Sequence, residues 1–240
     1  MTIQVLYDVE SADPGLVTRL QQEAKATSSL YHPNIVQVYD GVLSHGNFYL
    51  VREPFGGMEL RRYILRTQGR LAVEQAIRIA RDVARGLGTA HQKGLVHGNV
   101  KPYHILMGHN GLVKLDGLGY ARAYKEIAAY QRRTTPGMTL AIGTFDAPEL
   151  ALGAMVTPAA DVYALGMVLY EMLAGRLPFD RYSPQEVAMQ ETQDPLAPPS
   201  RYNPNMPPDV EAVIMSCLER VPTQRFLNGH ALADALERLL

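Results

Sequence analysis

The chain has 240 residues and a formal net charge of −1. This length suits one large domain or two lobes around a cleft, and the near-neutral charge gives no indication of a nucleic-acid partner. Cys217 is the single cysteine, which excludes an internal disulfide and a thiolate metal cluster and favours a reducing, cytoplasmic location. No apolar run is long enough to span a bilayer, and the first residues show no signal-peptide pattern, so we expect no membrane contact from this segment.

The first part of the chain predicts a small region that contains strands. Alternating side chains predict a strand over Ile3 to Tyr7, and apolar residues at helical spacing predict a helix from Pro14 to Leu30. The next two strands are expected at Ile35 to Tyr39 and Asn47 to Arg52, joined by the turn Ser-His-Gly-Asn. A Phe-Gly-Gly breaker follows and predicts a hinge over residues 55–58.

Beyond this hinge the pattern becomes mainly helical. A long helix with one apolar face ends near Gly94, a residue type that favours helix ends. The nearly continuous apolar run from Val162 to Leu173 predicts a helix that is buried on most sides. Three more helices are expected near residues 184–191, 208–219 and 229–239.

Two features lie between the long helices. Short apolar stretches around Ile105 and at Leu112 to Leu115, separated by Gly-His-Asn-Gly, predict a small hairpin. Residues 120–147 show no steady period and predict a long loop, a feature that is usually functional or disordered.

Seven segments occur in a fixed order along the chain: QEAKATSSLYHPNIVQVYD, LVREPFGGMEL, HGNVKPYHIL, LVKLDGLGYAR, GTFDAPE, DVYALGMVLYEMLAGRLPF and PTQRF. Together they resemble the motifs of a bacterial Hanks-type Ser/Thr protein kinase domain, and the resemblance covers essentially the whole chain. It implies an α+β, protein kinase-like two-lobe fold in a single domain over residues 1–240. The N-lobe at 1–54 would be truncated to about three antiparallel strands plus one helix, and the C-lobe at 59–240 would be large and mostly α-helical.

The resemblance also implies which residues occupy the phosphate-binding positions. Gln4 stands where the family has its ATP-binding Lys, and Glu23 stands where the family has the Glu that pairs with that Lys. No Gly-rich loop precedes Gln4. Because an amide cannot supply the positive charge that neutralises phosphate oxygens, Glu23 is interpreted as a solvated or helix-capping charge.

The positions of the metal and of the adenine base are also altered. An ungapped alignment puts Gly117 on the Asp of the family's Asp-Phe-Gly motif, and Asp116 lies one residue earlier, where it would face the other way unless the backbone bulges. His104 replaces the second metal ligand, an Asn, and imidazole is a poor ligand for magnesium, so a packed or solvent-facing His is favoured. Arg52 lies at the gatekeeper position, where a long cation could fill the adenine pocket.

The catalytic loop has lost its base. Asn99 replaces the Asp that orients and deprotonates the substrate hydroxyl, whereas Lys101 matches the family's Lys that stabilises the transferred phosphoryl group. Gly98 replaces the Arg that pairs with a phosphorylated loop. Phosphorylation in the loop should therefore not switch the fold by that route; the candidate acceptors are Thr134, Thr135 and Thr139.

Residues that stabilise the family's fold are present. His97 is expected to pack and hydrogen-bond within the catalytic loop, and Asp161 to accept hydrogen bonds from that loop. Glu149 and Arg225 match the family's buried ion pair.

This selective loss predicts a pseudokinase: a non-enzymatic, protein-binding or regulatory scaffold of bacterial signalling that uses no cofactor. Its partner would be another protein, paired with the open strand edge at Ile3 to Tyr7, although strands missing upstream would explain that edge equally well. The alternative is a weakly active, ATP-dependent Ser/Thr kinase with magnesium and displaced groups at Lys101, Asp116 and Glu23. Nucleotide sensing without transfer is a third hypothesis, which Arg52 disfavours.

Overall fold

The computed structural model describes residues 1–6, 14–67, 69–120, 143–178 and 196–240. Its helices and strands, in chain order, are β1 (Thr2–Leu6), α1 (Pro14–Ser28), β2 (Val38–Ser44), β3 (Asn47–Arg52), β4 (Gly57–Glu59), α2 (Leu60–Arg66), α3 (Val73–Gln92), β5 (Ile105–Gly108), β6 (Val113–Leu115), α4 (Pro148–Ala151), α5 (Pro158–Ala174), α6 (Pro208–Cys217) and α7 (Gly229–Glu237). Short 3₁₀ turns occur at Pro102–His104, Pro199–Arg201 and Pro222–Gln224.

The small lobe is a three-stranded antiparallel sheet covered by one helix. The strand order is β1-β3-β2, so β1 lies at one edge. The β2–β3 hairpin turns through His45 and Gly46, whose φ angles of 48° and 75° are left-handed, as a tight hairpin turn requires. Leu20 and Ala24 of α1 pack on Phe48 and Leu50 of β3, and all four are buried. Pairing of the β1 edge with another protein stays a prediction.

The start of one predicted strand is wrong. The structure starts β2 at Val38 rather than at Ile35. Ile35 instead forms an isolated parallel bridge with Leu115, and the Val36 N–H donates to the Leu115 carbonyl at 2.9 Å. Ile35 is 1% exposed. The apolar stretch thus packs against the large lobe instead of extending the small sheet, and residue periodicity alone does not distinguish these two partners.

The large lobe is organised around α5. Every residue of this helix from Ala160 to Ala174 is buried, as the apolar run predicts, because α3, α6 and α7 pack around it. The β5–β6 hairpin, also predicted, joins β4 in a second antiparallel sheet in the order β4-β5-β6. Within the described residues, no helix is long and apolar enough to cross a membrane.

Three sequence predictions lie outside the described residues. These are the end of the first strand at Tyr7, most of the loop over 120–147 with its three threonines, and the helix near 184–191.

Candidate active site

The catalytic loop at residues 97–104 is held by one buried carboxylate at the start of α5. Asp161, which is 1% exposed, accepts the backbone N–H of Gly98 on Oδ1 and that of His97 on Oδ2, both at 2.8 Å. Hydrogen bonds from donors to an ionised acceptor are about twice as strong as neutral ones. This contact fixes the backbone from which the next side chains project, as expected for Asp161.

His91, near the end of α3, is a third donor to Asp161. Its Nδ1 accepts the Gly229 N–H at 3.1 Å, so the ring proton is on Nε2, which donates to Asp161 Oδ2 at 3.0 Å. The backbone of α7 thus selects the tautomer that lets His91 support the loop. The sequence analysis missed His91, because nothing in its local pattern separates it from other helix-end histidines.

His97 lies within the loop and is buried. Its Nδ1 accepts the Asn99 N–H at 3.2 Å, and its Nε2 donates to the Asp116 carbonyl at 2.9 Å. Burial lowers the pKa of His97 below its ordinary value, which agrees with a neutral ring that donates at one nitrogen and accepts at the other. His97 therefore joins the loop to the segment after β6.

Asn99, Lys101 and His104 project from this loop. The Asn99 amide lies 3.5 Å from His104 Nε2. Burial, with the positive groups nearby, lowers the pKa of His104 to about 2. A neutral imidazole and a neutral amide thus occupy the positions where the family has a metal ligand and a base.

Behind the loop, four polar side chains from both lobes meet in what we call the cleft cluster: Gln4, Arg52, Asp116 and Tyr120. Arg52 Nη1 of β3 forms a salt bridge with Asp116 Oδ2 just after β6. Tyr120 donates its hydroxyl to Asp116 Oδ1 at 3.0 Å, and the Gln4 side chain lies near the phenol.

Charge and burial are matched within the cleft cluster. Burial opposes the charge of Arg52, yet attraction to Asp116 raises the pKa of Arg52 above its ordinary value. Burial raises the pKa of Tyr120, so the phenol stays a donor. Tyr120 also packs in the core of the small lobe although it follows the C-lobe hairpin, and no sequence signal marks it for that role.

The glycines of the Gly-Leu-Gly segment set its path. Gly117 and Gly119 have φ angles of 101° and 83°, a region that favours glycine. A Cβ on Gly119 would collide with the Thr27 hydroxyl and lie 3.0 Å from the Glu23 carbonyl, both on α1. The segment after β6 is thus pressed against the helix that carries Glu23.

Glu149 and Arg225 form a buried bidentate pair. The two Nη atoms of Arg225 each donate to a different oxygen of Glu149 at 2.7 Å. The guanidinium also donates to three carbonyls, at 2.7–3.1 Å, on Ala159, Glu219 and Arg220. This pair links α4 to the segment before α7.

The residues of the cleft cluster and of the segment after β6 do not fit a divalent cation. Asp116 Oδ1 already accepts the Tyr120 hydroxyl and the Gly117 N–H, and Oδ2 is bound by Arg52. Within the described ranges, no group of three or more His, Cys, Asp or Glu side chains is placed to hold a metal. Gln4 and Gly117 supply no charge at their positions.

Known proteins match this chain over nearly its whole length. The model of the protein kinase domain family matches residues 5–236. The serine/threonine-protein kinase PrkC of Bacillus subtilis is 33% identical over 94% of this chain and 34% of PrkC. PknA of Mycobacterium tuberculosis is 36% identical over 98% of this chain and 54% of PknA. The chain thus spans about a third to a half of the length of these relatives.

Solved structures show the same fold. The crystal structure of the kinase domain of Mycobacterium tuberculosis PknI superposes with a TM-score of 0.76 at 26% identity, over 99% of this chain and 85% of that domain. The predicted α+β two-lobe kinase fold is confirmed, and the described part of the N-lobe holds the expected three antiparallel strands and one helix.

Two predictions from the sequence are wrong. The prediction that the chain is not an enzyme is overturned, because relatives that match nearly all of it are named serine/threonine-protein kinases. The prediction of no cofactor is overturned with it, since protein kinases transfer phosphate from ATP with magnesium. The reasoning was wrong because it took the replacement of each family side chain as proof that kinase activity is lost. The predicted resemblance to the bacterial Ser/Thr kinases is confirmed: the chain belongs to the protein kinase domain family.

Proposed function

We propose that this domain is a slow, ATP-dependent Ser/Thr protein kinase that works with displaced catalytic groups. The observation that carries the proposal is the anchoring of the catalytic loop by Asp161, which fixes the backbone of His97 and Gly98 directly before Asn99 and Lys101. A loop kept in this geometry supplies positioning, and positioning accounts for much of phosphoryl-transfer catalysis. The names of the relatives support the same activity.

The roles of the loop residues follow from their chemistry. Lys101 supplies a positive charge for the phosphoryl oxygens as negative charge develops on them. The Asn99 amide oxygen accepts a hydrogen bond from the substrate hydroxyl and orients it, but an amide does not take up the proton. A side chain that orients the substrate hydroxyl and also accepts its proton contributes about 10²–10⁴-fold to a rate. The enzyme is slow because Asn99 does not accept this proton.

The test is a gain of function. Asn99→Asp restores the carboxylate, and we expect it to raise the rate of phosphate transfer from radiolabelled ATP by about 100-fold or more. Lys101→Ala in that variant should abolish the gain, whereas Lys93→Ala removes an exposed Lys after α3 and should leave the rate unchanged. If Asn99→Asp transfers no more phosphate than the parent chain, the proposed function is wrong.

A further inference from the structure

The arginines in and after α2 differ in the partners that hold them. Four arginines and no acidic residue occur from Leu60 to Arg70. Arg61 forms a salt bridge, 2.6 Å from Nη1 to Oε1, with Glu171, a buried residue of α5. A buried carboxylate needs a counter-charge, so this pair ties α2 to the core of the large lobe. Arg61 is therefore a structural residue.

The other three arginines have only weak or neutral acceptors. Arg62 Nε lies 3.9 Å from a carboxylate oxygen of Glu59 in an exposed pair, and such pairs are worth little. Arg66 Nη1 donates to a methionine sulfur on β4 at 3.7 Å, and Arg70 Nη2 donates to the Tyr202 carbonyl at 2.8 Å. Within the described part of the chain, no close carboxylate neutralises these three arginines, which we call the arginine face.

The arginine face also keeps like charges together around an exposed apolar side chain. Arg62 and Arg66 are four residues apart on α2, so they share one side of the helix, where two like charges destabilise it. Leu65 lies on the same side and is 64% exposed. A partner that is negatively charged and carries an apolar group would neutralise the two cations and cover the leucine.

The helix that carries this face lies beside the catalytic loop. α2 packs on the turn Pro102–His104, which directly follows Lys101, and Tyr103 of this turn is 53% exposed. The seven residues of α2 make it about 10 Å long, and three or four extended residues of a peptide span about 10–14 Å. A substrate whose hydroxyl lies at Lys101 therefore has flanking residues within reach of the arginine face.

We propose that the arginine face binds an acidic segment of the protein substrate, so that the domain selects Ser or Thr residues with Asp or Glu a few positions away. Guanidinium groups bind carboxylates through paired hydrogen bonds. A net charge of −1 gives the chain no general attraction for nucleic acid, and the exposed Leu65 suits an apolar side chain of a peptide. The inference rests on the proposed function and names the class of substrate that its site takes.

The first experiment measures peptide binding without catalysis, by fluorescence anisotropy. Two labelled peptides of the same length carry one Ser, flanked on both sides by Glu in one peptide and by Gln in the other. The parent chain should bind the Glu peptide at least about 5-fold more tightly than the Gln peptide. Arg62→Gln with Arg66→Gln should lose this preference. Arg78→Gln with Arg238→Gln removes the same charge from exposed positions on α3 and after α7 and should keep it.

Reversal of the charge separates recognition from a loss of folding. Arg62→Glu with Arg66→Glu should prefer a peptide with Lys in place of Glu, a result that an unfolded chain would not give, and circular dichroism checks that each variant is folded. Three results would each overturn the proposal: equal binding of the Glu and Gln peptides by the parent, an equal loss in the control pair, or a single-stranded oligonucleotide of the same charge that binds as tightly as the Glu peptide.

The second experiment tests whether the bound segment belongs to the substrate. In the Asn99→Asp variant, the Glu peptide should be phosphorylated with a lower KM than the Gln peptide. Arg62→Gln with Arg66→Gln in that variant should raise the KM of the Glu peptide and leave kcat unchanged, as expected for lost binding. Equal KM values for the two peptides would overturn the proposal. If Asn99→Asp transfers no phosphate, only the proposed function fails, because peptide binding requires no catalysis.

Discussion

The buried pair of Glu149 and Arg225 gives the sharpest prediction about stability. Glu149→Ala removes both acceptors of the bidentate contact and leaves the guanidinium, whose side chain is 0% exposed, without a counter-charge. Each hydrogen bond to a charged group contributes about 1.5–3 kcal/mol, so two of them correspond to about 3–6 kcal/mol.

The three carbonyls around Arg225 reduce this loss. They continue to accept hydrogen bonds from the guanidinium, so the desolvation of its N–H groups stays partly compensated. Breaking a buried pair by removal of one partner typically costs about 3–5 kcal/mol. We expect the free energy of unfolding of Glu149→Ala to fall within that range.

The assay is urea unfolding followed by circular dichroism, with the change taken from the midpoint at an unchanged slope. Glu74→Ala is the matched control: it removes a Glu from the Glu74–Arg78 pair, whose side chains are 68% and 52% exposed, and should cost less than about 1 kcal/mol. If Glu149→Ala costs no more than this control, the inference from burial and bidentate geometry is refuted.

Two further predictions concern His104 and Gly119. The pKa of His104 is about 2 in the folded state, whereas the unfolded chain binds that proton near pH 6.5. The free energy of unfolding is therefore unaffected by His104 above pH 6.5. It decreases as the pH falls below 6.5, by up to about 1.4 kcal/mol per pH unit. His104→Asn should therefore flatten the loss of stability between pH 7 and pH 5 in urea titrations, and an unchanged slope would contradict the assignment. Gly119→Ala should cost about 2–4 kcal/mol, from a left-handed backbone and the collision with Thr27. Gly111→Ala, with φ of 78° and open space around it, should cost only about 1–2 kcal/mol in the same titrations; equal losses would show that the collision has no effect.

The sequence predicted the large lobe well because its signals are local. Helix α5 is buried on every side, so nearly all of its residues are apolar. Such a continuous apolar run indicates a buried helix even when the neighbouring elements are unknown. The pairing of Glu149 with Arg225 also followed from the resemblance, because both positions lie in recognisable motifs. The strand at Ile35 was mispredicted because its partner, Leu115, is remote in the chain and local periodicity does not reveal it.

The cleft cluster shows the same limit at the candidate site. Arg52 and Asp116 were each singled out, but their contact joins positions that are 64 residues apart, and Tyr120, although it lies in the segment LVKLDGLGYAR, was not singled out. A single sequence gives the residue type at each position and leaves open which charges neutralise each other. The wrong prediction about enzymatic activity has the same origin. The replaced catalytic residues were assessed one at a time, whereas the chemistry of the site depends on how the residues that replace them act together.

The bond from Gly229 to His91 has a consequence for the order of folding. The two residues are 138 positions apart, and Gly229 begins α7, the last helix among the described residues. During synthesis, domains generally fold as units, and His91 gains its partner only when α7 has emerged from the ribosome. Until then Asp161 lacks the oriented imidazole that supports the catalytic loop. The catalytic loop of a nascent chain would therefore gain its full support only after α7 has been made and has packed into the core of the large lobe.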